Sequence, residues 1–534
     1  MRIDKVFLRY LILIIVAFIF ECIFNQIALN IIYNLIENIF FAITLICPLY
    51  LFTNNNNKRF SIYYFAFSFL IFSISIYFET VYYYLFKTPF SASAIFVALD
   101  SNLEETKEFI DFYVDIPISL FTFLIFVITS IVIFRINKIS LINTVVKNIN
   151  RFKVMGLLIG ILIFLKFSKL IVFNVPYLMV KSNIEYYIES KKLGDYKENK
   201  NGDFHNIYKR PSKEEQEVFV IIVGESTSRT HLGLYNYYRE TTPELIKRKE
   251  ELLIYKDVIS PHAFTVGALT KILTLGNYEN PEKISEGSII QLINSVGYET
   301  YWLSNQRPIG PYESMITKIS LSAKNYKFLT TTIAGNSKVL DGELLNEFNE
   351  VINNDVKKKV IFIHLMGTHH HYKNRYPEEF NQFHEEPVTD FRSEENFTKI
   401  NHYDNAILYN DFLVSSVIKK LDSLNTKSFA LYFSDHGEEM FDDINMAGHN
   451  EDIYSQKMFE IPFFVWQSKK YKKEKKIPFV EDRKYMIDDL FHSIADLLDI
   501  KANEVEYTRS IFNEHFKERK RVVKDTVNYD TFFN

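Results

Sequence analysis

Five long apolar runs occupy the first third of the chain, at residues 10–28, 36–52, 60–85, 116–134 and 154–173. Each approaches the ~20 mostly apolar residues that cross a hydrocarbon core. Tyr63, Tyr64 and Tyr82 to Tyr84 fall near run ends, where amphipathic rings suit a membrane–water interface. The pattern turns polar over residues 174–216, with an apolar-and-charged stretch at 175–189 that reads either as a membrane-surface helix or as an ordinary first helix of the outer domain. After Glu217 it changes again. Short apolar runs, "VFVIIV" (218–223), "TYWLS" (300–304), "VIFIHL" (360–365), "FALYFS" (429–434) and "PFFVW" (462–466), alternate with helical stretches. Runs of that length with that alternation predict an α/β domain with a mostly parallel sheet covered on both faces. The expected organisation is a five-helix transmembrane domain (1–173), a surface helix and linker (174–216) and an outer α/β domain (217–534).

Loop charge sets the orientation. Arg2, Lys5 and Arg9, then Lys58 and Arg59, then Arg135, Lys138, Lys147, Arg151 and Lys153 mark one side. The third loop, with Asp100, Glu104, Glu105, Glu108, Asp111 and Asp115, marks the other. Lys and Arg favour the cytoplasmic side, which places the N-terminus inside and everything after residue 173 outside. The first run lacks a small-x-small cleavage site and reads as an anchor, not a cleaved leader.

Composition sharpens this picture. Lys+Arg 61 against Asp+Glu 65 leaves a net charge of −4, which gives no basic field for nucleic acid. The two cysteines, Cys22 and Cys47, both lie in apolar runs, so the outer domain has neither disulfide nor thiolate chemistry. None of the 13 histidines precedes His205.

Ligands of open parallel sheets bind beyond the carboxyl ends of the strands. There the chain places Glu225 after the first run, His369, His370 and His371 after the third, and Asp435, His436 and Glu438 after the fourth, with His449 further on. Carboxylates and imidazoles without thiolates suit Zn²⁺ or Mn²⁺. Taken singly each has a plainer reading, as a helix-start carboxylate, turn chemistry or a solvated histidine tract; together at successive strand ends they favour a metal site. Hydroxyl nucleophiles are on offer from Ser226, Thr227, Thr265, Thr270 and Thr274. Thr265 falls at a helix start, where a bound phosphate is favoured, and where a threonine can equally be a plain cap.

In order, "VIIVGESTSRTHLGLYNYYRETTPEL", "SPHAFTVGALTKILT", "GYETYWLSNQ", "FIHLMGTHHHYKNRYP", "YDNAILYNDF", "YFSDHGEE" and "EIPFFVW" resemble the motifs of the membrane-anchored phosphoethanolamine transferases of Gram-negative bacteria, in the alkaline phosphatase/sulfatase-like superfamily. The resemblance covers both halves of the chain. It implies a catalytic zinc on Glu225, Thr265, Asp435 and His436, with Thr265 also the nucleophile that carries phosphoethanolamine. His369 and His449 would bind the phosphate group or a second metal; one Zn²⁺ is expected, and Mn²⁺ is the weaker fit. Asn305, Gln306 and Glu438 would line the substrate rim, and Ser101 and Glu105 of the third loop would meet the lipid head group. The implied partners are phosphatidylethanolamine as donor, lipid A, lipopolysaccharide core or another envelope acceptor, and membrane lipids, with no nucleic acid. The implied location is the bacterial inner membrane, with the catalytic domain periplasmic.

Relatives that modify lipid A often carry a disulfide beside the nucleophile. Here Ala263 and Gly267 stand in that neighbourhood, closer to cysteine-free relatives acting on core sugars or other acceptors. Competing readings are a phosphoglycerol transferase of the lipoteichoic-acid type and a non-catalytic envelope scaffold. A sulfatase is disfavoured because no formylglycine motif is present.

Overall fold

The computed structural model describes residues 5–25, 29–52, 58–90, 94–95, 103–135, 151–192, 196–306, 315–329 and 339–533. The chain forms two compact units, one of residues 1–98 and 110–187, the other of residues 99–109 and 188–534.

In the first unit the apolar runs form helices α1 (Lys5–Phe24), α2 (Leu29–Phe52), α3 (Lys58–Phe86), α5 (Ile116–Phe134) and α6 (Arg151–Phe167); the shorter α4 (Leu103–Tyr113) of the third loop belongs through Phe109 to the second unit. Four of these, α1, α2, α3 and α5, are long and apolar enough to cross a membrane. The expected span at 154–173 is shorter than read. Lys169 adopts φ 60°, a left-handed conformation that ends the helical run, and α6 closes at Phe167 after 17 residues. Tyr10 is fully buried against the edges of Phe65, Phe69 and Phe72, and its hydroxyl lies 2.9 Å from Ser68 Oγ.

Three carboxylates, Glu21, Glu37 and Glu79, are buried in this bundle. Asn38 Nδ2 donates to Glu79 Oε2 at 2.7 Å, and Asn174 Nδ2 to Glu37 Oε1 at 2.8 Å. Asn174 also caps α7 (Val175–Lys192) by accepting from the Tyr177 amide at 2.9 Å. The stretch read as a surface helix or a first outer helix is thus helical. Through Tyr187 it groups with the first unit and exposes Val180, Ile184 and Tyr187.

The second unit is built on a seven-stranded sheet. Its strands are β1 (Glu217–Gly224), β2 (Leu252–Tyr255), β3 (Glu299–Ser304), β4 (Asn325–Phe328), β5 (Lys358–His364), β6 (Lys427–Ser434) and β7 (Phe463–Gln467), in the order β2-β7-β6-β1-β5-β3-β4. All five predicted strands are present. β7 runs antiparallel to both of its neighbours and the other pairings are parallel, so the sheet is mixed. One face packs Val218, Val220 and Ile222 on helices Glu343–Asn353 and Glu394–Ser423 through Leu344, Phe348, Val417 and Ile418. On the other, Phe219 and Phe429 stack at 4.6 Å and meet Tyr471 edge-on. Burying both faces explains why these strands read as unbroken apolar runs.

Register brings the strand ends level. Gly224 pairs with Ser434, Val223 with His364, and His364 with Ser304. The next residues of each strand, Glu225, Asp435, Leu365 and Asn305, therefore emerge side by side at one sheet edge.

Candidate active site

Glu225 leaves β1 on a sharp turn in which Ser226 takes φ 55°, and its side chain is fully buried. Gly367, after β5, presses on that turn. A Cβ there would lie 2.8 Å from Glu225 O and 2.9 Å from Glu225 N, so only glycine fits. Tyr403, on the helix Glu394–Ser423, secures the turn from below by donating to Ser226 O and accepting from the Ser228 amide, both at 2.9 Å.

Glu225, Asp435 and His436 bring one ligand atom each within 4.8 Å of one another. Asp435 Oδ1 accepts from the amides of Ser226 (3.1 Å) and His436 (2.7 Å), while its Oδ2 is buried with no hydrogen-bond partner. His436 Nδ1 lies 2.8 Å from Gly437 O, which fixes the proton on Nδ1 and leaves Nε2 facing Glu225 Oε1 at 3.4 Å and Asp435 Oδ2 at 3.5 Å. Thr265 is the first residue of α8 (Thr265–Ile272), with Phe264 in the cap position. Its hydroxyl does not cap the helix. It lies 3.1 and 3.2 Å from the two Glu225 carboxylate oxygens and 3.5 Å from His436 Nε2.

The electrostatics suit a cation at this point. Burial and the charge of Glu225 push the Asp435 carboxyl well above its ordinary range. Glu225 is opposed by burial but held well below that range by the hydrogen bond and charge of His436. Two carboxyl groups thus face one imidazole, and an orphaned carboxylate oxygen, that oriented ring and a hydroxyl converge. That donor set fits Zn²⁺.

Next to it, His449 Nδ1 meets Glu438 Oε2 at 2.7 Å, Tyr372 OH donates to Glu438 Oε1 at 2.5 Å, and the His436 and His449 rings are 4.2 Å apart. His436, Glu438 and His449 form a second cluster able to hold a metal ion. His369 stacks 3.9 Å from His370, and its Nδ1 is buried without a partner. Burial holds the His369 imidazole neutral, lowering it to about 3. The loop carrying it is pinned by Arg375, whose Nε donates to His369 O at 3.1 Å and whose terminal nitrogen pairs with Glu108 of α4.

Of the rim candidates, Gln306 Nε2 donates to Glu225 Oε2 at 3.0 Å and so orients that carboxylate. Glu438 positions His449. Asn305 does something else: it is buried, with Nδ2 donating to Val339 O (3.0 Å) and Asp341 Oδ1 (2.9 Å), so its amide ties the stretch before the helix Glu343–Asn353 to the end of β3. Ser101 lies outside the described residues. Glu105 lies within α4, and its side chain is outside the described set. Sequence reading does not single out Tyr372, nor Ser434, whose Oγ accepts from the Thr227 amide at 2.9 Å and donates to His436 O at 2.8 Å.

The "YNYYRETTP" segment supports the site from behind. His231 is buried between Asp404 (2.8 Å) and Asp442 (3.3 Å), and Arg239 and Tyr237 bind the other Asp404 oxygen at 2.7 and 3.1 Å. Burial alone would lower the His231 imidazole, but Asp442 and Asp404 raise it to about 10. Its contribution to stability is therefore full below pH ~6.5 and is lost as pH rises through about 10. His231→Gln is expected to cost about 3 kcal/mol near neutrality. It should also flatten the fall in melting temperature expected of the parent between pH 7 and 10; an unchanged slope would refute this role.

Residues 217–500 match the family model described as Sulfatase. Phosphoethanolamine transferase EptC of Escherichia coli (strain K12) is 30% identical over 484 residues, covering 84% of this chain and 83% of that protein. The crystal structure of the C-terminal periplasmic domain of the E. coli EptC in complex with Zn is 33% identical, with a TM-score of 0.59 over 61% of this chain and 96% of that one. The integral membrane lipooligosaccharide phosphoethanolamine transferase A (EptA) from Neisseria meningitidis shares the fold over 95% of this chain and 98% of its own, with a TM-score of 0.70 at 20% identity.

Proposed function

Since this chain belongs to the phosphoethanolamine transferases of the sulfatase family, we propose that it moves phosphoethanolamine from phosphatidylethanolamine to an acceptor of the bacterial envelope, by way of a covalent adduct on Thr265. One observation carries the reading: the Thr265 hydroxyl meets Glu225 at 3.1 Å beside a buried Asp435 and an oriented His436. Glu225, Thr265, Asp435 and His436 would hold one zinc. When bound, the ion would lower the hydroxyl pKa and offset charge on the phosphoryl oxygens. His369 and His449 stand ready for the phosphate group or a second ion.

In the first step Thr265 Oγ1 bonds to phosphorus as the phosphorus–oxygen bond to diacylglycerol breaks, and the hydroxyl proton ends on the departing alkoxide. In the second, an acceptor oxygen attacks the same phosphorus, the threonine–phosphorus link breaks, and the acceptor's proton returns to Thr265. One of the histidines beside the site, His369 or His449, would relay that proton. Gln306 and Glu438 orient the Glu225 carboxylate and His449 throughout. The acceptor is lipid A, a lipopolysaccharide core sugar or another envelope group; the cysteine-free domain favours the latter two. By loop charge, the protein sits in the inner membrane with its catalytic domain in the periplasm. The surface helix α7 and a short linker join that domain to the spans. Anchorage suits a donor that arrives by lateral diffusion in the same bilayer.

The test is mass spectrometry of the full-length protein after quenched incubation with phosphatidylethanolamine and zinc. A single phosphoethanolamine on the peptide containing Thr265 is expected. An adduct formed only from phosphatidylglycerol would replace this reading with phosphoglycerol transfer. Neither adduct nor transferred product from either lipid would leave the scaffold reading.

A further inference from the structure

The segment that carries Thr265 is tied down on both sides by a hairpin from the far end of the chain. Residues Val522–Val523 and Val527–Asn528 pair antiparallel, and the turn between them holds Lys524 at φ 56° and Asp525 at φ 57°. Two adjacent non-glycine residues in the left-handed region are unfavourable unless the surroundings hold them there. The Thr526 amide closes the turn on Val523 O at 3.2 Å, and the nucleophile segment holds it from outside. The Lys524 amide donates to Pro261 O at 2.9 Å, and the Asp525 carboxylate pairs with Lys271 Nζ and lies 3.7 Å from His262 Nε2. Pro261 and His262 precede Thr265, and Lys271 comes after it, near the end of the two-turn helix α8. Lys271 is itself buried, so losing this partner would leave an ammonium poorly compensated.

A second tie reinforces the first. Glu451 accepts from the Ala263 amide through Oε2 and meets His262 Nδ1 through Oε1, both at 2.8 Å. The rings then close on the first turn of α8. A Cβ on Gly267 would lie 2.5 Å from Phe264 Cζ and 3.0 Å from His262 Cγ, so the first turn of α8 packs tightly on the Phe264 ring and on the His262 ring that Glu451 and Asp525 hold. At the base, Arg521 Nη1 binds Asp257 O at 3.1 Å while its Nε binds Asp530 at 3.1 Å, joining the hairpin to the strand that leads into the segment.

We propose that this C-terminal hairpin is a positioning strap for the nucleophile, with Asp525 its principal positioning residue and Glu451 the second. Asp525 touches neither Thr265 nor the metal ligands. It acts by fixing both ends of the segment between Pro261 and Lys271, so that Thr265 Oγ1 is held in line with phosphorus. The domain contains no cysteine, so this restraint is wholly non-covalent and indifferent to redox conditions. The strap's role rests on Thr265 being the nucleophile, as proposed above.

The experiment compares full-length parent, Asp525→Ala and Asp525→Asn in detergent with phosphatidylethanolamine. It measures the rate of adduct formation, KM, bound zinc and melting temperature. Misplacing a reacting atom by about 1 Å costs on the order of 100-fold. Asp525→Ala is therefore expected to slow adduct formation roughly 10- to 100-fold, with KM within about twofold and zinc content unchanged. Asp525→Asn, which still accepts from Lys271, should recover part of that loss. A rate for Asp525→Ala within twofold of the parent overturns the strap and leaves the transferase reading intact. So does a loss that simply tracks lost zinc or lost folded protein. A parent that forms no adduct and transfers nothing overturns both.

Discussion

Thr265→Ala should form no covalent adduct and lose transfer by about 10⁴-fold or more, the scale on which removal of a covalent nucleophile acts. The geometry isolates the hydroxyl as the cause. Thr265 is only partly buried and its Oγ1 caps nothing, so alanine leaves helix α8 and its packing in place. Zinc affinity should fall while the three remaining ligands still hold the ion. Thr265→Ser should keep the adduct, because it keeps an oxygen at the same distance from Glu225. If threonine were there only to start the helix, alanine and serine would behave alike and both would transfer. Quenched mass spectrometry on the two variants, with zinc measured in parallel, separates these outcomes.

Glu225→Ala should instead strip the ion. Glu225 is the common partner of Ser226, Thr265, Gln306 and His436, and it is fully buried. Its loss removes the carboxylate that receives the Thr265 hydroxyl and leaves Asp435 and His436 as an ordinary buried pair. Bound zinc is expected to fall to background and transfer by more than about 10³-fold. The rise in melting temperature that zinc gives the parent should vanish, since a ligand stabilises only the state that binds it. Retained zinc with near-normal transfer would mean that the metal site lies elsewhere, and the second cluster of His436, Glu438 and His449 would be the place to look.

The residues legible from sequence are those placed by a local rule. Glu225, Asp435 and His436 come directly after long apolar runs, and strand-end chemistry converges whatever the order of the strands. Edge strands escape such a rule. β4 reads Asn-Tyr-Lys-Phe and is largely exposed, and β2 (Leu-Leu-Ile-Tyr) is mostly buried but only four residues long, at the short limit of a readable run. β7 reads as a strand, but periodicity carries no direction, and its antiparallel course comes only with the fold.

Side chains whose partners are distant in sequence are also silent. Tyr372 reaches Glu438 across 66 positions and Lys271 reaches Asp525 across 254, and no spacing rule links such pairs. Asn305 shows the converse limit. A polar residue right after a strand satisfies the strand-end rule, yet its amide serves Asp341. Site and scaffold look alike until partners are known.

The glutamates inside the first unit bear on how the protein is made. A carboxylate within a spanning helix costs on the order of 3 kcal/mol to insert unpartnered. Glu21 lies in the last turns of α1, Glu37 lies early in α2 and Glu79 late in α3, and asparagines partner the last two. The partner of Glu79, Asn38, is already synthesised when α3 emerges. The partner of Glu37, Asn174, is not: it leaves the ribosome only after α6. Closure of the bundle around Glu37 is therefore completed by Asn174, the residue that precedes α7 and the last of these partners to be made.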